Sequence, residues 1–347
     1  MKQRQFDVYN GIEIIATELK NKNGCTAEII NFGGVLHSLK VPGKDGKMRD
    51  VILGHNTVEE YRVDGASHGA LIGRYGNRIG KGKININGVD YQLALNDNGI
   101  NHLHGGNIGY SRRIWNIDSA TENSVTLSLV DEDGTENYPG TIRLAVTYTL
   151  TDENALDIEY KATTDKDTYF NPTNHAYFNL SGYNSGVITD HLLKIAADFY
   201  TPTAADLIPT GELRSVENTP FDFRTAKTIG QDVEADDQDL KNGGGYDHNF
   251  ILGEPKVYKE NVCEAYDEKS GILMKVSTDM PAVQLYVGNF LDGSFMGKDN
   301  LPMTKRTGFC LETQYSPDTP NQPDFPSCLL KKDEEFYSKT SYRFELK

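Results

Sequence analysis

Hydrophobic residues recur at every second position along much of this chain. In residues 124–130, Val125, Leu127 and Leu129 alternate with serine and threonine. Ile142, Leu144, Val146, Tyr148 and Leu150 continue the pattern. After the turn Thr151-Asp152-Glu153-Asn154 it resumes with Leu156, Ile158 and Tyr160, and later with Ile272, Met274 and Val276. Successive side chains of an extended strand point to opposite faces, so a period of two predicts strands with one buried face. Residues 84–91 predict a hairpin, because Asn87-Gly88 supplies the positive φ angles of a tight two-residue turn. Helix signals are short and confined to residues 56–61 and 231–240.

The 33 glycines and 13 prolines of the 347 residues punctuate the chain throughout, with no linker and no internal repeat. The expectation is an all-β protein, one large antiparallel β-sandwich domain spanning residues 1–347. A net charge of -15 disfavours nucleic-acid backbones, and the longest basic cluster is Lys331-Lys332. The N-terminal residues lack the apolar core of a secretory signal. No apolar run approaches the roughly 20 residues of a membrane-spanning helix. Cys25, Cys263, Cys310 and Cys328 are irregularly spaced, which predicts reduced, buried thiols in a cytoplasmic protein.

Several polar groups interrupt strand-like sequence. An extended segment over residues 173–180 would place His175, Tyr177 and Asn179 on one face and Ala176, Phe178 and Leu180 on the other. Glu312 follows the apolar run Gly308-Phe309-Cys310-Leu311, and Gln314 shares its face. A buried carboxylate is costly unless paired, and partial burial lifts its pKa from about 4.3 toward the range of a general base. His102 and His104 have the spacing of two metal ligands on a strand, but no carboxylate follows, so no metal is expected. Gly105-Gly106 would let the backbone approach a ligand closely. Arg74 and Arg78 both offer fixed cations. Asp247 follows Gly243-Gly244-Gly245; no lysine follows, which argues against a phosphate cradle, while an aspartate there suits a pair of neighbouring hydroxyls. Gln284 and Tyr286 share a face opposite Val283, Leu285 and Val287. Asp131-Glu132-Asp133-Gly134 begins like a calcium loop but lacks the later ligands. Each stretch alone also fits a structural role: a solvated sheet face, an edge glutamate, a surface ion pair or a plain turn.

Taken together, residues 73–79 (GRYGNRI), 101–106 (NHLHGG), 173–180 (TNHAYFNL) and 309–314 (FCLETQ) resemble the signature of the galactose mutarotase (aldose 1-epimerase) family. Residues 245–250 (GYDHNF) and 281–286 (PAVQLY) agree, so the resemblance covers nearly the whole chain. Asn137 stands where the family's loop has glycine, a mild departure because asparagine tolerates left-handed angles. The resemblance implies a β-supersandwich with its site in a cleft on one sheet. It implies interconversion of the α and β anomers of aldohexoses such as galactose and glucose, without cofactor or metal, by a monomer or homodimer. It assigns Glu312 as base and His175 as acid, and selects Asn77, Arg78, His104, Tyr177, Asp247 and Gln284 as substrate-binding residues. The acid and base are expected on opposite sides of the sugar ring, with neighbouring carboxylates keeping His175 protonated. A hexose-6-phosphate epimerase and a non-catalytic carbohydrate-binding sandwich are the competing readings.

Overall fold

The computed structural model describes residues 2–347. Its largest sheet has nine antiparallel strands. In spatial order they are Asn116–Ala120, Ser124–Asp131, Ile142–Leu150, Ala155–Thr164, Glu335–Leu346, Ile272–Thr278, Lys259–Asp267, Leu192–Ile195 and Lys227–Thr228. The alternation read from the sequence is the alternation of burial: Val125, Leu127, Leu129, Ile142, Leu144, Val146 and Tyr148 all lie inside. The last strand, Glu335–Leu346, pairs with Ala155–Thr164 on one side and Ile272–Thr278 on the other, so the end of the chain occupies the middle of the sheet.

A five-stranded sheet runs through Lys2–Tyr9, Ile12–Lys20, Thr26–Ile30, Val35–Pro42 and Met48–Asp50. A second five-stranded sheet has the order Arg214–Ser215, Phe199–Thr201, Asp247–Ile251, Ala282–Tyr286, Cys310–Gln314. One buried apolar cluster joins all three, from Leu19 and Ala27 through Val146 and Tyr342 to Leu285 and Leu311. The sheets are antiparallel and open. The hairpin is present, with Ile86 opposite Val89 and φ of 52° and 82° at Asn87 and Gly88.

Three local expectations are adjusted. Helix α1 is Val58–Val63, starting after Thr57, whose side chain accepts from the Glu60 amide while Glu60 reaches back in a capping box. Helix α2 is only Gln238–Gly243, not residues 231–240. Asp237 caps it by accepting from the amides of Asp239 and Leu240, and the preceding residues form turns whose acidic side chains bind Lys227 and Arg306. Residues 173–180 form a regular strand only at Thr173–Asn174. Beyond it the segment threads between two neighbours, with the Phe178 amide donating to the Phe309 carbonyl and the Asn179 amide to the Val51 carbonyl. Extended alternation persists without a continuous ladder.

Candidate active site

The second five-stranded sheet positions the polar groups. Its register sets Asp247 opposite Tyr286, and Gln284 between Asn249 and Glu312. Above this face is a cavity of about 250 Å³, walled by Asn77, Arg78, His104, His175, Tyr177, Asp247, Tyr286 and Glu312, among others. Residues separated by more than 230 positions therefore meet at one place.

His175 and Glu312 form the floor. His175 Nε2 lies 3.5 Å from Glu312 Oε1, with side chains 7% and 2% exposed. Glu312 Oε2 has no protein partner. Burial, reinforced by the charge of Asp247 and opposed by Arg78, raises the Glu312 carboxyl well above its usual range. Burial and the neighbouring His68 lower His175 to about 4 against the pull of Asp64. Desolvation of this buried imidazole thus works against the expectation that neighbouring carboxylates keep His175 protonated. The Cys310 thiol lies 3.5 Å from His175 Nδ1. His175 and Glu312 sit side by side on the cavity wall.

His104 is set by its own backbone. It adopts φ 51°, and its Nδ1 accepts the Asn77 amide at 3.1 Å. The neutral ring therefore carries its proton on Nε2, and burial together with His175 and Arg78 keeps it neutral. Its ring meets His175 edge to face at 5.2 Å. Gly105 and Gly106 serve this loop rather than a ligand. A Cβ on Gly105 would meet the Gly73 carbonyl at 1.8 Å, and one on Gly106 would meet the Glu136 carboxylate at 2.2 Å. Arg78 lines the cavity and donates from Nε to Asp97 Oδ2 at 2.8 Å. Arg74 does not reach the cavity: it is buried against Asp131 at 2.8 Å and the carbonyls of Pro139 and Gly140. Asp131 is thus a structural ion-pair partner. Asn137 has φ 70°, as its left-handed tolerance allows. His102 spends both nitrogens inside the fold, on the Ala94 carbonyl and the Tyr138 hydroxyl.

Asp247 opens its strand just after the glycine-rich end of α2, is buried, and has its carboxyl raised by desolvation. Gln284 lies behind the cavity lining and donates from Nε2 to Asp247 Oδ1 at 2.7 Å, while its Oε1 has no protein partner. Its strand position places it behind Asp247, where it fixes the carboxylate. Tyr177 contributes its ring, stacked between His68 at 4.2 Å and His175 at 5.1 Å, while its hydroxyl donates to the Ala66 carbonyl. Asn179 turns away to the carbonyls of Gly186 and Thr307.

The sequence reading missed the apolar rim. Phe290, Leu291, Phe295 and Met303 line the mouth, and Phe290 stacks on Tyr286 while remaining 59% exposed. Aromatic residues flanking Gly293 were the available signal. Asp64 and His68 also line the cavity. Two groups could hold a metal by proximity: His104, His175 and Glu312, and separately His55, Asp64 and His68.

Stacked, open antiparallel sheets carrying a buried imidazole–carboxylate pair on a cavity floor define an acid–base enzyme. The profile of the family described as aldose 1-epimerase matches residues 16–343. The galactose mutarotase of Rattus norvegicus is 41% identical over 92% of this chain and 91% of its own length. The aldose 1-epimerase of Escherichia coli K12 is 40% identical over 94% of each chain. The solved aldose epimerase homologue from C. elegans superposes with a TM-score of 0.86 at 32% identity, covering 95% of this chain and 98% of its own. Galactose 1-epimerase from Lactobacillus acidophilus gives 0.85 at 29%, covering 99% and 98%. The chain belongs to the aldose 1-epimerase family.

Proposed function

We propose that this chain is an aldose 1-epimerase that interconverts the α and β anomers of a neutral aldohexose such as galactose or glucose, with Glu312 as base and His175 as acid. The observation that carries the reading is the 3.5 Å approach of His175 Nε2 to Glu312 Oε1 on the wall of the cavity. The anomeric hydroxyl and the ring oxygen are both bonded to C1, so the groups that serve them belong side by side.

Glu312 takes the proton of the anomeric hydroxyl, whose oxygen becomes the carbonyl oxygen of the open aldehyde. The C1–O5 bond breaks, and O5 receives a proton from His175. Rotation about C1–C2 presents the other carbonyl face. O5 then attacks C1 and returns its proton to His175, while Glu312 protonates the new anomeric hydroxyl. No proton or electron is gained or lost overall. The working form is ionised Glu312 with protonated His175. A raised carboxyl pKa narrows the mismatch between base and substrate, and each positioned acid or base is worth about 10²–10⁴-fold. His104 Nε2–H, Arg78 and the Asp247 carboxylate are suited to orienting the sugar hydroxyls.

A phosphorylated hexose fits less well. Arg78 is the one cationic side chain on the wall among the described residues, while Asp64, Asp247, Asp292 and Glu312 are acidic. Among the described residues no helix is long and apolar enough to cross a membrane. With four free, buried thiols, a cytoplasmic setting is part of the proposal. Polarimetry of freshly dissolved α-D-galactose, α-D-glucose and glucose 6-phosphate tests it. Rapid equilibration of the neutral sugars is expected; acceleration of glucose 6-phosphate alone, or of none, defeats it.

A further inference from the structure

Beside the acid–base pair lies a second cluster of ligating side chains, two of which, Asp64 and His68, line the same cavity without touching the reacting atoms in the mechanism above. His55 precedes α1, Asp64 is its C-cap, and His68 lies in the turn that follows. They are 0%, 2% and 1% exposed. One donor atom from each lies within 4.8 Å of the other two. The Asp64 carboxylate is anchored from behind, with Oδ1 accepting the Ala66 amide at 2.8 Å.

The orientation of His55 is the telling feature. Its Nδ1 lies 2.9 Å from the Met296 carbonyl, which can only accept. Nδ1 therefore carries a proton, and Nε2 is the nitrogen turned toward Asp64. It lies 3.1 Å from Asp64 Oδ2 without forming a well-aligned hydrogen bond. On its other side Asp64 Oδ2 meets His68 Nδ1 at 2.5 Å. A buried ring nitrogen without an aligned partner beside a buried carboxylate is a costly arrangement that a cation shared by both would relieve. A carbonyl fixing the far nitrogen of an imidazole is the usual outer support of a metal-bound histidine.

The geometry points to a binding site for a divalent transition-metal ion of the zinc type, held by His55 Nε2, the Asp64 carboxylate and His68 Nδ1. Two imidazoles and one carboxylate suit such an ion rather than calcium or magnesium. Bonds of about 2.0–2.1 Å in tetrahedral array separate ligand atoms by roughly 3.3 Å. Binding thus opens the Asp64–His68 contact by less than about an ångström, and the metal replaces the His68 Nδ1 proton, which leaves to solvent. The ion takes no part in the epimerisation. It ties the loop around α1 to the carbonyl of Met296, at the end of the strand Asp292–Met296, and braces His68 against the Tyr177 ring.

The test uses the full chain, stripped with chelator and then freed of it. Zn²⁺ is titrated by calorimetry and Co²⁺ by visible absorption. One ion per chain is expected, with a rise in the thermal midpoint. Binding should persist in Glu312→Gln, which removes a ligand from the other candidate set, and should weaken at least tenfold in His55→Phe and in His68→Phe. Circular dichroism checks that both histidine variants fold. Absence of stoichiometric binding overturns the proposal, as does binding that survives both histidine variants and vanishes in Glu312→Gln. Should those variants not fold, anomalous diffraction from zinc-soaked wild-type crystals decides: a peak between His55, Asp64 and His68 supports the site, and a peak only at His104 and His175, or none, overturns it.

Discussion

Glu312→Gln should destroy activity and stabilise the protein. The substitution keeps the shape of the side chain and removes its charge. Loss of one positioned base lowers the rate by about 10²–10⁴-fold, equivalent to roughly 3–5 kcal/mol of barrier. The stability effect has the opposite sign. Glu312 is 2% exposed, its Oε2 has no protein partner, and its carboxyl is raised well above the usual range. A carboxyl whose folded pKa exceeds its unfolded value disfavours the folded state as soon as pH rises above the unfolded value. The penalty grows by about 1.4 kcal/mol per pH unit until the folded value is reached. At pH 8 the glutamine variant should therefore unfold at higher denaturant than wild type, and the difference should fade toward pH 4, where both side chains are neutral. Polarimetry gives the rate, and urea unfolding at the two pH values gives the stability difference. Activity within tenfold of wild type refutes the base assignment. A variant less stable than wild type at pH 8 refutes the argument from desolvation.

The pH profile of the wild type should be a broad bell. Below about 4 both His175 and Glu312 hold protons and the base is blocked, while above the raised pKa of Glu312 neither holds one and the acid is lost; a profile that keeps full activity on either flank would contradict it. Gln284→Leu should raise KM roughly tenfold or more with little change in kcat, because Asp247 loses the 2.7 Å bond that fixes it and hydrogen bonds to charged groups contribute about 1.5–3 kcal/mol. Steady-state kinetics on galactose would show a kcat loss instead if Gln284 touched the reacting atoms. Arg74→Met should leave kcat/KM of the folded enzyme near normal while costing about 3 kcal/mol in unfolding experiments. It strips the buried Asp131 of one ion-pair partner, although Arg113 still reaches that carboxylate at 2.8 Å.

Which features were legible in advance follows the range of the interactions behind them. Strand alternation at Val125–Leu129 and Ile142–Leu150 depends on neighbouring residues and on which face is wet, so it could be read directly. The Asn87-Gly88 turn depends on two backbone angles. His175, Glu312, Arg78, His104 and Asp247 each have an ordinary structural reading when taken singly, and only the stretches together, matched to a family signature, single them out. Helix α2 was overextended because the acidic residues before it bind Lys227 and Arg306, a contact between distant segments. Gln284 was placed on the right face, yet its amide is committed to Asp247, which only the pairing of two strands could reveal.

The sequence by itself therefore determined the all-β class and the turn chemistry, because these rest on local periodicity and residue chemistry, while the candidate acid, base and sugar-orienting groups were picked out by their resemblance to a family signature. Tertiary structure alone decided the side-by-side placement of His175 and Glu312, the burial that raises the carboxyl and lowers the imidazole, the enclosure of Arg74 against Asp131, and the meeting of His55, Asp64 and His68. Those outcomes depend on desolvation and on distances between residues far apart in the chain, and neither quantity exists until the sheets have packed.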